Sequence, residues 1–293
     1  MSSFRATALS ATLLLLSQIP AAHAGEGSFG WIYTLDLQPK GTLEFEQRLQ
    51  LNRGQAQGKY NLWQARTELE YGLTDDVQIA GYLNTSYVEA NQNNADGSTG
   101  GWLVPGSAGS SPYSRGRVDG ASVEAIWRLT NPVIDPIGVG LYGEVTAGPV
   151  KDEIEMRLLL QSNFMDDRLV LASNLQIAME KVKFDSAEIG RESMIDLLVG
   201  ATYRVANNWT AGLEYRFHND FNGYRFNEQT QRAHFFGPNV HYATKEWWFT
   251  AAWRYQPKGS SECWGPGVGE CSNSRVWDSH SKNEFIIKVG HPL

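Results

Sequence analysis

Beyond residue 24 the chain has no stretch approaching the roughly eighteen apolar residues that a membrane-spanning helix needs. Cysteine is almost absent: Cys263 and Cys271 are the two present, both in one Gly/Pro/Ser-rich stretch. In an exported protein that spacing favours a disulfide local to one loop. A thiolate metal site would need further ligands, and only His280 is near, so neither a metal nor another cofactor is expected. Positive charge is also short, with 25 Lys and Arg against 32 Asp and Glu. The resulting net charge of −7 disfavours a nucleic-acid partner. Mean hydropathy is −0.37, as in soluble proteins. That value does not exclude a membrane barrel, in which only alternate residues need be apolar.

The start of the chain has the marks of an export signal. Arg5 supplies a positive n-region, residues 11–16 an apolar h-region, and Ala22-His23-Ala24 a small-x-small cleavage site. Residues 1–24 are therefore read as a cleaved signal peptide. The h-region is too short to span a bilayer, and no cysteine follows the cleavage site, which argues against a lipid anchor.

What is plentiful is aromatic character, with ten Trp and twelve Tyr, arranged in a strict alternation. Trp63, Ala65, Thr67, Leu69 and Tyr71 interleave with Gln64, Arg66, Glu68 and Glu70. Trp209, Ala211, Leu213, Tyr215 and Phe217 interleave with Thr210, Gly212, Glu214, Arg216 and His218. Successive strand side chains point to opposite faces, so each such segment has one apolar and one charged face. Twelve strands are predicted, over 42–52, 61–72, 76–89, 117–129, 137–148, 153–163, 168–180, 191–205, 208–219, 231–243, 246–256 and 282–291. Their connections alternate short and long, with one exception, the short link Pro149–Asp152. Trp and Tyr cluster near segment ends, as interfacial girdles do.

These features predict an all-β fold: a 12-stranded antiparallel transmembrane up-and-down β-barrel in a Gram-negative outer membrane, with both termini periplasmic. Residues 42–293 form the barrel. Residues 25–41 are a lead-in, either periplasmic or folded into the lumen as a plug, and the plain periplasmic lead-in is the expectation. A soluble β-sandwich has no reason to sort its loops by length. The parity has blemishes: Gln47 and Ser173 fall on the outer face, and Ile126, Leu159 and Leu198 on the inner one. The last strand carries Phe285, Ile287 and Val289 on one parity, as a C-terminal assembly signal needs. It ends, however, on His291-Pro292-Leu293 rather than on an aromatic residue.

Parity assigns to the lumen Glu44, Glu46, Arg48, Arg66, Glu68, Glu70, Glu124, Arg128, Glu144, Glu155, Arg157, Glu180, Glu192, Asp196, Arg204, Glu214, Arg216, His218, Arg254, Glu284 and Lys288. They either line a water-filled passage or brace neighbouring strands as ion pairs that fill it. Twelve strands lie between the filled eight-stranded barrel and the open sixteen-stranded one, so a narrow or partly occluded pore is expected. Carboxylates outnumber cations in that set, which leans any selectivity weakly toward cations or neutral solutes.

Twelve-stranded barrels can also be lipid hydrolases, built on a Ser nucleophile and a His base. His218, His234 and His241 come late in the chain, and His280 lies between Ser279 and Ser281 on the opposite parity from both. That stretch reads as a solvated loop end, and no catalytic residue is assigned; the chain is not expected to be an enzyme. His234 and His241 point to opposite faces and make a poor metal pair. The long link Ala90–Gly116 either folds into the mouth as a constriction or stays a mobile surface loop.

The run from Glu68 through Glu70-Tyr71-Gly72-Leu73-Thr74-Asp75-Asp76 to Gln78, followed by Tyr82-Leu83-Asn84, resembles a strand–turn–strand of small outer-membrane barrels. Gly237-Pro238-Asn239-Val240-His241-Tyr242 is similar to a late strand of the same proteins. They are the barrels grouped with phenol-degradation-pathway outer-membrane proteins. The resemblance implies a channel or transporter for small solutes, hydrophobic or aromatic compounds among them. The partners expected are outer-membrane lipids, the solutes themselves, and the periplasmic chaperone and barrel-assembly machinery that a monomeric barrel uses. The rival reading is a structural barrel with a plugged lumen, acting through its outer loops.

Overall fold

The computed structural model describes residues 27–183, 189–257, 262–263 and 281–293. Eleven strands follow in order: β1 Leu43–Arg53, β2 Lys59–Thr74, β3 Val77–Asn91, β4 Tyr113–Thr130, β5 Gly138–Ala147, β6 Lys151–Phe164, β7 Leu169–Lys183, β8 Ile189–Ala206, β9 Trp209–Asn222, β10 Gln229–Ala243 and β11 Trp248–Tyr255. A C-terminal strand, Asn283–Pro292, completes the set. Each pairs antiparallel with its neighbours in sequence, and the C-terminal strand returns to β1, Leu49 opposite Ile287. Among the described residues closure gives each spanning strand a partner on both sides, as strands in hydrocarbon require. The pair Glu262–Cys263 adds a short extension beside β10. The disulfide predicted between Cys263 and Cys271 lies outside the described residues, because Cys271 is not among them.

The alternation sorts side chains as the hydropathy pattern requires. The strands expose large apolar residues of one parity, among them Val123 on β4, Ile154 and Met156 on β6 and Leu213 on β9; on β4 the parity changes at a bulge, which leaves Val118 exposed as well. Soluble monomers rarely expose apolar patches beyond a few hundred Å², so a belt running right round a barrel belongs in lipid. Rings gather at both rims: Trp127, Trp209 and Trp247 toward the tight turns, Tyr87 and Trp253 toward the long loops. Gln47, the polar exception on the outer face, is satisfied in place. Its amide accepts from Thr67 Oγ1 at 2.8 Å and donates to the Arg66 carbonyl at 2.8 Å.

The short link between β5 and β6 also has a local cause. Lys183 of β7 donates from Nζ to the Gly148 carbonyl at 2.7 Å and to Asp152 at 2.6 Å. On the other side the Val150 amide donates to the Asp119 carbonyl of β4 at 3.2 Å. Gly148 lies so close to β4 that a Cβ there would sit 2.2 Å from the Asp119 carbonyl oxygen.

Residues 27–42 are not a plain lead-in. Phe29, Trp31, Ile32, Tyr33, Leu35 and Leu37 are buried, and all of them pack against inward-facing wall residues. The segment enters near His241 and Thr250, rises to mid-barrel at Trp31–Tyr33, and descends to Gly72 at the turn end. It is an arch inside the turn-end half of the lumen.

Candidate functional site

The arch is held by side chains of the wall, each meeting a backbone group that has no strand partner. Glu214 accepts the amides of Gly30 at 2.6 Å and Trp31 at 3.0 Å. Asn174 clasps Tyr33 from both sides, accepting its amide at 2.8 Å and donating to its carbonyl at 2.9 Å. Gln161 accepts the Leu35 amide at 2.6 Å, and Gln78 the Gln38 amide at 2.7 Å. Buried amides left unpaired would each cost about 1–3 kcal/mol, so these four side chains make the course of the arch possible. Arg254 lies over the Trp31 ring at 4.1 Å and Arg157 over the Tyr33 ring at 4.5 Å, capping the summit with cation–π contacts.

The apolar side chains of the arch explain the inner-face blemishes of the sequence. Leu198 packs with Phe29, Trp31 and Ile32, and Ile126 and Leu159 pack with Tyr33, Leu35 and Leu37. Inward glycines complete the seat. A Cβ at Gly200 would lie 2.5 Å from the Phe29 ring and 2.6 Å from Ile32 Cδ1, and one at Gly140 would lie 2.4 Å from Leu35 Cδ2. Glu214 is itself oriented by Asn239, whose amide donates to it at 2.8 Å. Parity places Glu214 and Asn174 on the inner face, but it carries no sign that they, with Gln78 and Gln161, hold one segment. The available signal was the coincidence of inward Ile126, Leu159 and Leu198 with the hydrophobic residues of 29–37.

The ionisable wall residues form networks around this arch. Arg66 bonds Glu68 at 2.6 Å and Glu124 at 2.9 Å and lies over the Tyr82 ring at 3.6 Å. Tyr142 donates to Glu144 at 2.6 Å. Arg157 bonds Glu155 at 2.6 Å, Arg254 bonds Glu284, and Lys151 bonds Glu153 and, at 3.4 Å, Glu180. Glu192 stands opposite Glu180 across the β7–β8 ladder. Toward the turns, Glu44 accepts from Trp248 Nε1 at 2.8 Å, Glu70 accepts from Gln78 at 3.1 Å, and Lys288 approaches Glu46 at 3.6 Å. Arg128 reaches the Leu35 carbonyl at 3.2 Å and Asp76 at 3.0 Å. Arg204 departs from its predicted inward position: it is exposed at the turn end, bonded to the Asp167 carbonyl at 3.0 Å.

His218 is buried between Asp196, 2.7 Å from Nδ1, and Asp220, 2.9 Å from Nε2. Both ring nitrogens face carboxylates, so neither is available to activate a hydroxyl. His234 stacks with Phe217 on the lipid-facing side and bonds Tyr215, while His241 faces Thr250 inside. His280 lies outside the described residues. No cluster of potential metal ligands occurs among the described residues.

At the loop end the link between β3 and β4 folds into the mouth. Leu103 and Val104 are buried against Tyr60, Leu62, Val88, Ala90, Val150 and Val182, all on the wall or its rim. Arg117 donates to the Leu103 carbonyl at 3.0 Å, and Tyr60 to the Trp102 carbonyl at 3.1 Å. Gly101, at φ +102°, makes the sharp turn, and a Cβ there would lie 2.6 Å from Gln55. Between arch and loop lie two adjoining cavities of about 190 and 180 Å³, which share Arg48, Gln50, Gln64 and Arg157 as walls.

A closed antiparallel barrel of this kind has counterparts among known proteins. Residues 21–293 match the profile of a family of unknown function, DUF6662. The chain belongs to that family. Comparison with curated proteins gives no match. Among solved structures, the COG4313 outer membrane channel from Pseudomonas putida F1 is similar at 10% identity, over 87% of this chain and 97% of that one, with a TM-score of 0.59. The β domain of the Bordetella autotransporter BrkA is similar at 9% identity over 87% and 100%, TM-score 0.50. The NanC porin is similar at 12% identity over 85% and 100%, TM-score 0.49. At such identities the likeness speaks for the fold, a fold of outer-membrane barrels.

Proposed function

We propose that this DUF6662 chain is an outer-membrane channel for small solutes, in which the N-terminal arch regulates or closes the passage. The observation that carries it is the polar space left above the arch, reaching Trp102 of the mouth loop, in a barrel with a continuous apolar belt. A wall needed only for bracing would have its side chains close on one another, and this one leaves space. Similarity to an outer-membrane channel supports the reading, as does the resemblance of residues 68–84 to phenol-degradation-pathway barrels. In this proposal residues 1–24 are removed on export and the tight-turn end faces the periplasm. There the Leu293 amide meets the Leu43 carbonyl at 2.8 Å, so both barrel ends of the chain emerge together. Assembly passes through periplasmic chaperones and the barrel-insertion machinery, and the barrel works as a monomer.

A second reading has an observation of its own: the arch fills the turn-end half of the lumen, as a purely structural barrel would allow. Planar-bilayer recording separates the two. Deleting residues 29–38 is expected to raise conductance above that of the intact chain. If neither protein conducts, with folding of both verified by the heat-dependent gel shift of a barrel, the channel reading fails and the structural one stands.

A further inference from the structure

Three cations stand side by side across the ladder near mid-barrel. Arg48 of β1 is directly opposite Lys288 of the C-terminal strand on one side and Arg66 of β2 on the other. Like charges placed directly opposite destabilise a sheet. The flanking two are compensated, Lys288 by Glu46 at 3.6 Å and Arg66 by Glu68 and Glu124. Arg48 is half-buried, and among the described residues its hydrogen bond goes to a neutral amide, Gln50 Oε1 at 2.9 Å. It borders both cavities.

The two cavities differ in charge. The one toward the mouth has equal numbers of cations and carboxylates in its wall. The one above the arch is lined by Arg48, Arg157, Arg216 and Arg254, with Asp196 as its carboxylate. Asp196 is already taken up by Arg216 at 2.5 Å and by His218. The carboxylate excess of the whole lumen is therefore not what a solute meets here. It lies lower, in the opposed pairs Glu44–Glu70 and Glu46–Glu68 of the turn end, and toward the mouth-side cavity in Glu124–Glu144 and Glu144–Glu155, where Arg66 and Arg157 bond Glu124 and Glu155.

We infer that the chamber above the arch binds a small organic anion, a carboxylate on a polar body, with Arg48 as its principal cation. Among the described residues no carboxylate pairs with Arg48, and a planar guanidinium donates two parallel hydrogen bonds to a carboxylate. Gln50, Gln64 and Gln176 border the same space and offer amide donors and acceptors to hydroxyl groups. The ligand also meets the arch. Gln50 Oε1, the group that holds Arg48, accepts from Trp31 Nε1 at 3.1 Å. Drawing Arg48 toward a carboxylate changes the bond that ties the summit of the arch to β1.

This inference deepens the channel proposal and rests on a lumen that admits solutes. Its test reads equilibrium binding rather than transport, so the two fail separately. Folded full-length protein in detergent micelles is titrated calorimetrically with sodium gluconate, with sorbitol as the neutral molecule of matching size and choline as the organic cation. Saturable binding of gluconate, absent with sorbitol and choline, is expected. Arg48→Gln should weaken it at least tenfold, and Arg48→Lys should retain part of it. Because Arg48→Gln relieves a row of like charges, the variant should keep the heat-dependent gel shift and unfold in no less urea than the parent. Gluconate binding that is absent, matched by sorbitol, or indifferent to Arg48→Gln would overturn the inference, as would a clear loss of stability in that variant.

Discussion

Leu35→Ala is the substitution that most directly probes whether the arch controls the passage. Leu35 is fully buried, in contact with Ile126, Leu159 and Tyr142 and over Gly138 and Gly140. Truncating a buried leucine costs about 2–5 kcal/mol, the transfer of its methyls plus the void they leave. Here the void borders two inward glycines, which have no side chains to move into it, so a value of about 3 kcal/mol is reasonable. The barrel wall keeps all of its ladder bonds, and the loss falls on docking of the arch. At tenfold per 1.4 kcal/mol, undocking becomes roughly a hundredfold more frequent. Single-channel recording in planar bilayers should show open events rising by about that factor. Leu160→Ala, one residue beyond the buried Leu159 and on the lipid side, is the control and should leave them unchanged. An open probability equal in Leu35→Ala and parent, with the gel shift intact, would refute arch control.

Three further outcomes follow from the same geometry. Gly200→Val puts atoms into the space of the Phe29 ring and Ile32, and should expose residues 27–40 to added protease while the barrel itself stays resistant. Glu214→Gln removes a charged acceptor shared by two arch amides, worth about 1.5–3 kcal/mol, and should speed hydrogen exchange at Gly30 and Trp31 more than elsewhere in the arch. Leu213→Lys, on the outer face beside Glu214, should lower the stability of the lipid-inserted barrel by about 2–4 kcal/mol in urea titrations, because it sets a charge against hydrocarbon. Unchanged unfolding of Leu213→Lys would contradict the lipid-facing assignment of that parity.

The strands were legible because a two-residue period with one apolar face leaves little freedom. A slip of one residue would turn Val123 and Trp127 inward and Glu124 and Arg128 toward lipid. Strand ends differ from their predicted positions by a few residues, most at the start of β4, where Tyr113 begins pairing before the apolar alternation does. The short Pro149–Asp152 link looked like an irregularity, and the bonds from Lys183 and Asp119 make it a place where two neighbouring strands close over the rim. The arch was not legible. Residues 29–37 do alternate, with Phe29, Trp31, Tyr33, Leu35 and Leu37 on one parity, but their amides bond to side chains scattered from Gln78 to Glu214 instead of to a neighbouring strand, a pairing that no local pattern encodes. Ile126, Leu159 and Leu198 appeared as errors in the wall when they are the seat of another segment.

Sequence alone determined the class of this protein: twelve strands, which face of each meets lipid, and the polar character of the interior. Those properties follow from nearest-neighbour geometry along and across strands, and that geometry is periodic. Tertiary structure decided what the interior is for. It laid Phe29–Leu37 across the lumen, paired most inward charges with partners far away in the chain, and left Arg48 between two cations beside open space. Net charge summed over a face cannot foresee that, because a solute responds to the charge left uncompensated at the place where it stands.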